Sequence, residues 1–401
     1  MARLARGGGH RLGRSVAAAQ PGLHSRLPPS HRHRLHPARG VQTRRSFPMR
    51  LDYMHWYRGL AMVYIIVWHS LTQTLDFSTP TARLLQSLLF NGTALFVFIS
   101  GFLFAYLAPR YQWQGFMKKK ALHVLLPYLV VSLPGILWRL TQLHHGVLPV
   151  DYVPAAVIDK PIPFVIWSLL TGFHIGPLWF VPFVCLLFLC SPLFHRLVAS
   201  PALGAVTALA LLVTLFTFRP QYNLNPLWSL LHFSGFYLLG IWVCRHRDHP
   251  WLTSTRLIGV LALLLAALVL WELRHPIPVA FSIQELLREG ALRLNVNAAQ
   301  KVVMCVLTLM LLRRVELRRY AWFPRTLLSR VAEYSFGIYF VHHYFMMVLG
   351  ELTKRLPPID MDARLLLVSL PHFILSMLAS MALIYLVKLT TKTRSRYLVG
   401  V

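Results

Sequence analysis

Apolar residues run along this chain in long, nearly unbroken stretches separated by short polar, proline-containing joints. Ten such stretches predict helices at roughly 54–75, 85–108, 121–139, 177–196, 202–218, 226–244, 254–272, 297–313, 330–350 and 364–388. An α-helix crosses the hydrocarbon core of a bilayer in about 20 residues, and these runs fall around that length. Residues 161–173 are apolar but short, which suits a re-entrant or interfacial piece. No repeat of fixed period is visible. The expected fold is all-α, a polytopic membrane helix bundle of about ten transmembrane helices, with a membrane domain over 49–390 and a short tail over 391–401.

Composition agrees with that pattern. Of 401 residues, 56% are hydrophobic and 13% charged, with a mean hydropathy of +0.53. An average soluble protein is about a quarter charged. The formal charge of +28 would ordinarily suggest a polyanionic partner. Its distribution argues otherwise. The joints 110–120, 195–201, 245–256 and 313–330 and the tail from 388 hold 18 Lys and Arg against two acids, Asp248 and Glu316. The intervening joints hold ten Lys and Arg and nine of the thirteen acids. Such alternation is the positive-inside pattern, and it places the N-terminus in the cytoplasm. The excess charge therefore reads as topology, the partner is the lipid bilayer, and nucleic acid is excluded.

Residues 1–48 hold ten arginines and no acid, and are rich in Gly, Pro, Ser and His. Nothing there can build a core. TRRSF (43–47) has the look of a twin-arginine signal but is followed by a charged membrane helix, and an organellar transit peptide would share the composition. The favoured reading is an extension upstream of a start at Met49. The cysteines Cys185, Cys190, Cys244 and Cys305 lie in apolar runs without metal-ligand spacing, so neither a metal site nor a disulfide framework is expected.

The chemistry concentrates in HWYRGLAMVYIIVWHS, residues 55–70. Arg58 and His69 stand eleven positions apart. Three helical turns bring them to one face, about 16 Å apart along the axis. Ionisable groups within a membrane helix are costly and usually face a protein interior or a wet cavity. A neutral imidazole suits a general base acting on a hydroxyl. A guanidinium suits a phosphate or another anion on the cytoplasmic side. A snorkelling arginine and a packed histidine are the structural alternative.

RGLAMVYIIVWH resembles the Arg-x10-His signature of the integral-membrane acyltransferase family 3, which O-acylates sugars and polysaccharides. Further segments resemble the family's pattern in order: TALFVFISGFLFAY (93–106), KKKALHVLLPY (118–128), GPLWFVPFV (176–184), HFSGFYLLGIWV (232–243) and SFGIYFVHH (335–343). The resemblance implies an O-acyltransferase in which His69 is catalytic and Arg58 is its partner in receiving the donor, an acyl-CoA, usually acetyl-CoA. It implies cavity-lining or structural roles for Ser100 with Gly101, Trp179, Tyr339 and His342.

Departures accompany the resemblance. His55 stands where the family often carries an acid before the arginine, and Asp52 lies farther back. The family's third-helix pair of arginines corresponds to Lys120 and His123, whose spacing predicts one face at the cytoplasmic end, within reach of CoA phosphates. Pro177 replaces a histidine, with His174 three residues earlier. The stripe Ser335, Tyr339, His342 and His343 falls on one helix face and can line the cavity of His69 or serve as polar packing. Glu333 is the one acid of that helix's first half, interfacial or paired across the bundle. Arg293, Asn295, Asn297, Gln300 and Lys301 open a helix on the outer side, where they can meet sugar hydroxyls or be ordinary helix-end polarity. The joint 140–176 can cover a substrate entrance. GxSxG, HExxH, P-loop and GxGxxG motifs are missing.

The expectation is thus a multi-pass enzyme of the cell inner (plasma) membrane. It moves an acetyl group from acetyl-CoA, a co-substrate and not a resident cofactor, to an exopolysaccharide, lipopolysaccharide or lipid-linked sugar, alongside polysaccharide-synthesis machinery. The competing reading is a transporter or flippase for a lipid-linked glycan or small anion. Such proteins favour half-repeats and buried carboxylates.

Overall fold

The computed structural model describes residues 51–148, 153–158, 160–275, 293–357 and 359–401. The basic stretch 1–48 lies outside them. Every regular element among the described residues is helical. In chain order these are α1 (Asp52–Thr74), α2 (Pro80–Leu89), α3 (Thr93–Leu107), α4 (Trp113–Lys120), α5 (Leu126–His144), α6 (Ala155–Ile158), α7 (Pro161–Thr171), α8 (Phe180–Leu189), α9 (Ser191–Ala199), α10 (Leu203–Phe216), α11 (Pro226–Arg245), α12 (Thr255–Arg274), α13 (Val296–Arg318), α14 (Arg325–Thr353), α15 (Met361–Arg364), α16 (Leu370–Thr391) and α17 (Ser395–Leu398).

Six helical stretches are long and apolar enough to cross a membrane, and a seventh results if α7 and the segment Gly176–Leu189, bent by 75° at their junction, count as one broken span. That bend lies where the short apolar piece 161–173 was expected to be re-entrant or interfacial. The figure is lower than the ten expected, for a physical reason. The helices α1 and α14 are long enough, at 23 and 29 residues, but their Arg, His, Tyr and Glu content lowers their hydropathy. The helices α8, α9 and α10 are too short singly. Large apolar side chains lie exposed along the flanks, including Leu263 at 74% on α12 and Leu378 and Leu389 on α16. In water such a surface would drive association; a bilayer solvates it.

The helix ends sort by charge. Tyr53 N donates to Glu316 Oε1 (3.2 Å), Arg247 lies over Tyr106 (5.6 Å), Arg325 over Trp56 (5.9 Å) and Lys388 over Tyr334 (5.3 Å). The basic joints therefore gather at one end of the bundle, beside the start of α1. At the other end Ser70 meets His372 (2.9 Å) and Arg364 donates to Thr74 O (2.7 Å).

Two close helix pairs form the centre. The helices α3 and α11 approach until a Cβ on Gly101 would strike the Tyr237 carbonyl, and one on Gly240 the Phe98 carbonyl. Small residues permit this approach between helices that lipid cannot drive together by the hydrophobic effect. The helices α1 and α14 run side by side in parallel. Trp56 bonds Ser329 (3.2 Å), Arg58 bonds the Ala332 carbonyl (2.6 Å), and His69 lies beside His342. Segments 273 positions apart in sequence thus face one another along their length.

Candidate active site

His69 lies in the last third of α1, half-buried, and its ring makes no hydrogen bond among the described residues. Two rings of α14 face it. The His342 centroid is 5.6 Å away and that of His343 is 5.8 Å away. His342 is fully buried. Its Nδ1 lies 2.9 Å from Ile338 O and 2.8 Å from Tyr339 O. Both are acceptors, so Nδ1 carries the proton and Nε2 is a bare acceptor. Among the described residues no partner occupies that Nε2.

Tyr339, one turn earlier on α14, donates to Pro177 O (2.7 Å) and edges onto Phe180. This bond ties α14 to the turn Gly176–Trp179 that follows the bend. Trp179 in that turn is 6% exposed and stacks on Phe233 (5.8 Å). Gly172 closes α7 with φ 76°, and a Cβ there would meet Trp179 N, so the bend requires glycine. His174 within the bend bonds Ser132 (2.8 Å) and Ser168 O (3.0 Å), which pins it to α5 and α7 and spends both ring nitrogens.

Arg58 sits three turns down α1 from His69, toward the basic end. Its Nη2 donates to Ala332 O, the carbonyl that also accepts Ser335 Oγ (2.9 Å). Ser335 is thereby bonded within its own helix. Lys120 and His123 do not converge, because Ala121–Leu125 forms a π-turn between them, which changes the helical phase. Lys120 lies between Phe116 (5.2 Å) and Phe188 (4.5 Å), while His123 stacks on Tyr397 (5.8 Å). Phe116 touches Phe104 on α3, so Lys120 lies toward the same end of the bundle as Arg58. Ser100 is half-buried on α3 beside Gly101, and its hydroxyl makes no hydrogen bond among the described residues. Glu333 is exposed, on the outer face of α14.

The polar opening of α13 faces inward. Asn297, Gln300 and Lys301 are buried. Lys301 Nζ donates to Ser87 O (3.0 Å) and Leu88 O (2.5 Å) at the C-terminal end of α2. Glu272 on α12 accepts from Ser87 (2.5 Å), Gln300 (2.5 Å) and Asn297 (3.3 Å). Asn295 caps α13 through Ala298 N (2.9 Å). Asn297, Gln300 and Lys301 staple α2, α12 and α13 together, so these three are spent inside the bundle, neither presented to sugar hydroxyls nor left as simple helix-end polarity. The cation suits its place, because α2's last carbonyls are the negative end of its dipole.

Two cations that sequence reasoning passed over flank the histidines. Arg139 on α5 lies over Phe173 (5.0 Å) and within electrostatic range of His343. Arg219, in the joint after α10, lies over Phe90 (4.7 Å) and Trp179 (5.6 Å), within electrostatic range of His69. Burial lowers the Arg219 pKa to about 10, so it stays charged at neutral pH. Neither stood in a recognisable motif.

Among the described residues no group of three or more His, Cys, Asp or Glu is arranged to hold a metal ion. The cluster instead offers an unbonded imidazole, a fixed neighbouring acceptor, an aromatic wall and positive charge at both ends. Such a set can take a proton from a hydroxyl and hold anions, which is acid–base and transfer chemistry. Comparison with curated proteins finds no match, and neither does comparison with solved structures. A family model, that of the acyltransferase domain of acyltransferase family 3, matches residues 51–389. With the match running from the first turn of α1 to the last turn of α16, this chain is a member of acyltransferase family 3, a membrane acyltransferase.

Proposed function

We propose that this protein is an integral-membrane O-acetyltransferase that moves an acetyl group from acetyl-CoA to a carbohydrate hydroxyl at the plasma membrane. The observation that carries the reading is the state of His69: a half-buried imidazole on α1 with no hydrogen bond to its ring among the described residues, set beside the bare Nε2 of His342. A base awaiting a substrate hydroxyl needs a free ring nitrogen of this kind.

In the proposed reaction one His69 nitrogen accepts the proton of the acceptor hydroxyl while its oxygen attacks the thioester carbonyl. The tetrahedral intermediate collapses with loss of the CoA thiolate. The thiolate takes the proton back from the imidazolium, leaving an O-acetyl ester, free CoA thiol and neutral His69. His342 Nε2 accepts the second N–H of His69, fixing its tautomer as an orienting acceptor does in a catalytic triad. Tyr339 lies beside His342 (6.4 Å), with Trp179 beyond Phe180, as the aromatic flank of the proposed site, and Ser100 lies on the helix that backs α1.

The donor approaches from the basic end. Arg58 lies three turns of α1 from His69 on the donor's side, Lys120 adds positive charge toward that end for the CoA phosphates, and His123, set apart from it on Tyr397, offers a hydrogen bond. The acceptor, an exopolysaccharide, lipopolysaccharide or lipid-linked sugar, approaches from the opposite end. The reading is tested by supplying labelled acetyl-CoA to membranes with and without the protein, and by mass spectrometry of the surface glycan. Protein-dependent release of CoA together with one added acetyl mass on the glycan is expected. Glycan movement without CoA release would favour transport instead.

A further inference from the structure

Arg219 lies within electrostatic range of His69, and its setting is built. The joint that carries it is held by Tyr222 and Asn223, both in the left-handed region at φ 51° and 58°. Asn223, 5% exposed, accepts from Arg219 Nε (3.0 Å). The guanidinium plane is thereby held over Phe90 and Trp179. Its terminal nitrogens donate to no protein group, and no carboxylate pairs with it, among the described residues. A charged arginine with an aromatic face on one side and no counter-ion is arranged to receive an anion.

A second group points the same way. His232 on α11 is fully buried next to Phe233, the ring on which Trp179 stacks. Its Nδ1 lies 3.2 Å from Thr217 Oγ1, whose own proton goes to Val213 O (2.7 Å). His232 Nδ1 is therefore the donor, and Nε2 is a bare acceptor with no partner among the described residues. A fork of donors thus lies over Trp179, and a buried acceptor lies beside Phe233, the ring packed against that same indole. A sugar that bears both an acid group and hydroxyls presents the complementary set.

We propose that Arg219 and His232 form the anion-binding part of the acceptor subsite, and that the acyl acceptor is an anionic carbohydrate with a carboxylate or phosphate near the acylated hydroxyl. This rests on the acyltransferase reading of His69, but its test does not use acyl transfer. Arg219 binds the acid group through its terminal nitrogens, Trp179 backs the guanidinium, and His232 accepts a hydroxyl of the same sugar.

The full-length protein in phosphatidylcholine nanodiscs is titrated at fixed ionic strength with methyl glucuronide, glucose 1-phosphate and methyl glucoside, reading thermal shift. At least one anionic probe is expected to bind about tenfold more tightly than the neutral glucoside, the worth of one charged hydrogen-bonding contact. Arg219→Gln should erase that preference, and Arg219→Lys should keep part of it. Which anion wins tells a uronic acid from a sugar phosphate. The proposal is overturned if wild type binds neither anion in preference to the glucoside, or if Arg219→Gln retains the preference. A charge preference in a protein that transfers no acetyl group would sink the function proposed above while leaving the anion site standing.

Discussion

The rings of His69 and His342 lie 5.6 Å apart, on two parallel helices joined farther down by the bond from Arg58 to Ala332. Two imidazoles in a linear N–H···N bond would have centroids about 5 Å apart, so the rings are near that distance and a rotation that aims a His69 nitrogen at His342 Nε2 forms the bond. His342→Phe keeps the ring's bulk and removes the acceptor, and should lower kcat about a hundredfold, within the range of general-base effects. His342→Gln places a carbonyl oxygen near the Nε2 position and should recover much of that loss. Steady-state acetyl transfer checks both. Equal loss in the two variants would mean that His342 only packs.

Arg58 is assigned to the donor. Arg58→Ala should raise the KM for acetyl-CoA about tenfold, as expected for a lost contact to a charged group, with a smaller change in acceptor KM. Arg58→Lys keeps the charge but not the fork, and should fall between the two. Initial rates with each substrate varied in turn separate the effects.

Gly101 and Gly240 set the distance between α3 and α11. Gly101→Ala drives a methyl group onto the Tyr237 carbonyl and should destabilise the bundle by about 1–3 kcal/mol, the usual cost of overpacking. A lowered melting midpoint in nanodiscs is the expected result. An unchanged midpoint would show that the crossing relaxes freely.

Lys301 is a buried cation tied to the end of α2 and to the network around Glu272. Lys301→Ala leaves the Ser87 and Leu88 carbonyls without their charged donor and removes a positive charge from the neighbourhood of Glu272, and should cost about 3 kcal/mol. Adding Glu272→Gln should return part of it. The paired unfolding midpoints measure this coupling directly.

The all-helical membrane architecture was legible because long apolar runs have no other stable arrangement in lipid. The phase of Arg58 and His69 was legible too, since α1 is unbroken between them. Other features depended on tertiary contacts. Residues from α14 face His69 because two helices far apart in sequence run in parallel, and no local pattern encodes that. The spacing of Lys120 and His123 was read as α-helical, and the π-turn at Ala121–Leu125 altered it. Asn297, Gln300 and Lys301 looked like a wet helix end because their partners, Ser87 and Glu272, come from other helices. Arg219 stood in a short joint as an ordinary charge, and only the rings of Phe90 and Trp179 beneath it mark it out.

The central claim is that His69 is the base of an acetyl transfer. Purified wild-type, His69→Ala and His69→Gln proteins in nanodiscs, matched for melting midpoint, are given labelled acetyl-CoA and the cell-surface glycan. Loss of transfer by at least about a hundredfold in both variants, with folding intact, is the predicted result. Transfer at the wild-type rate by folded His69→Ala would contradict the account.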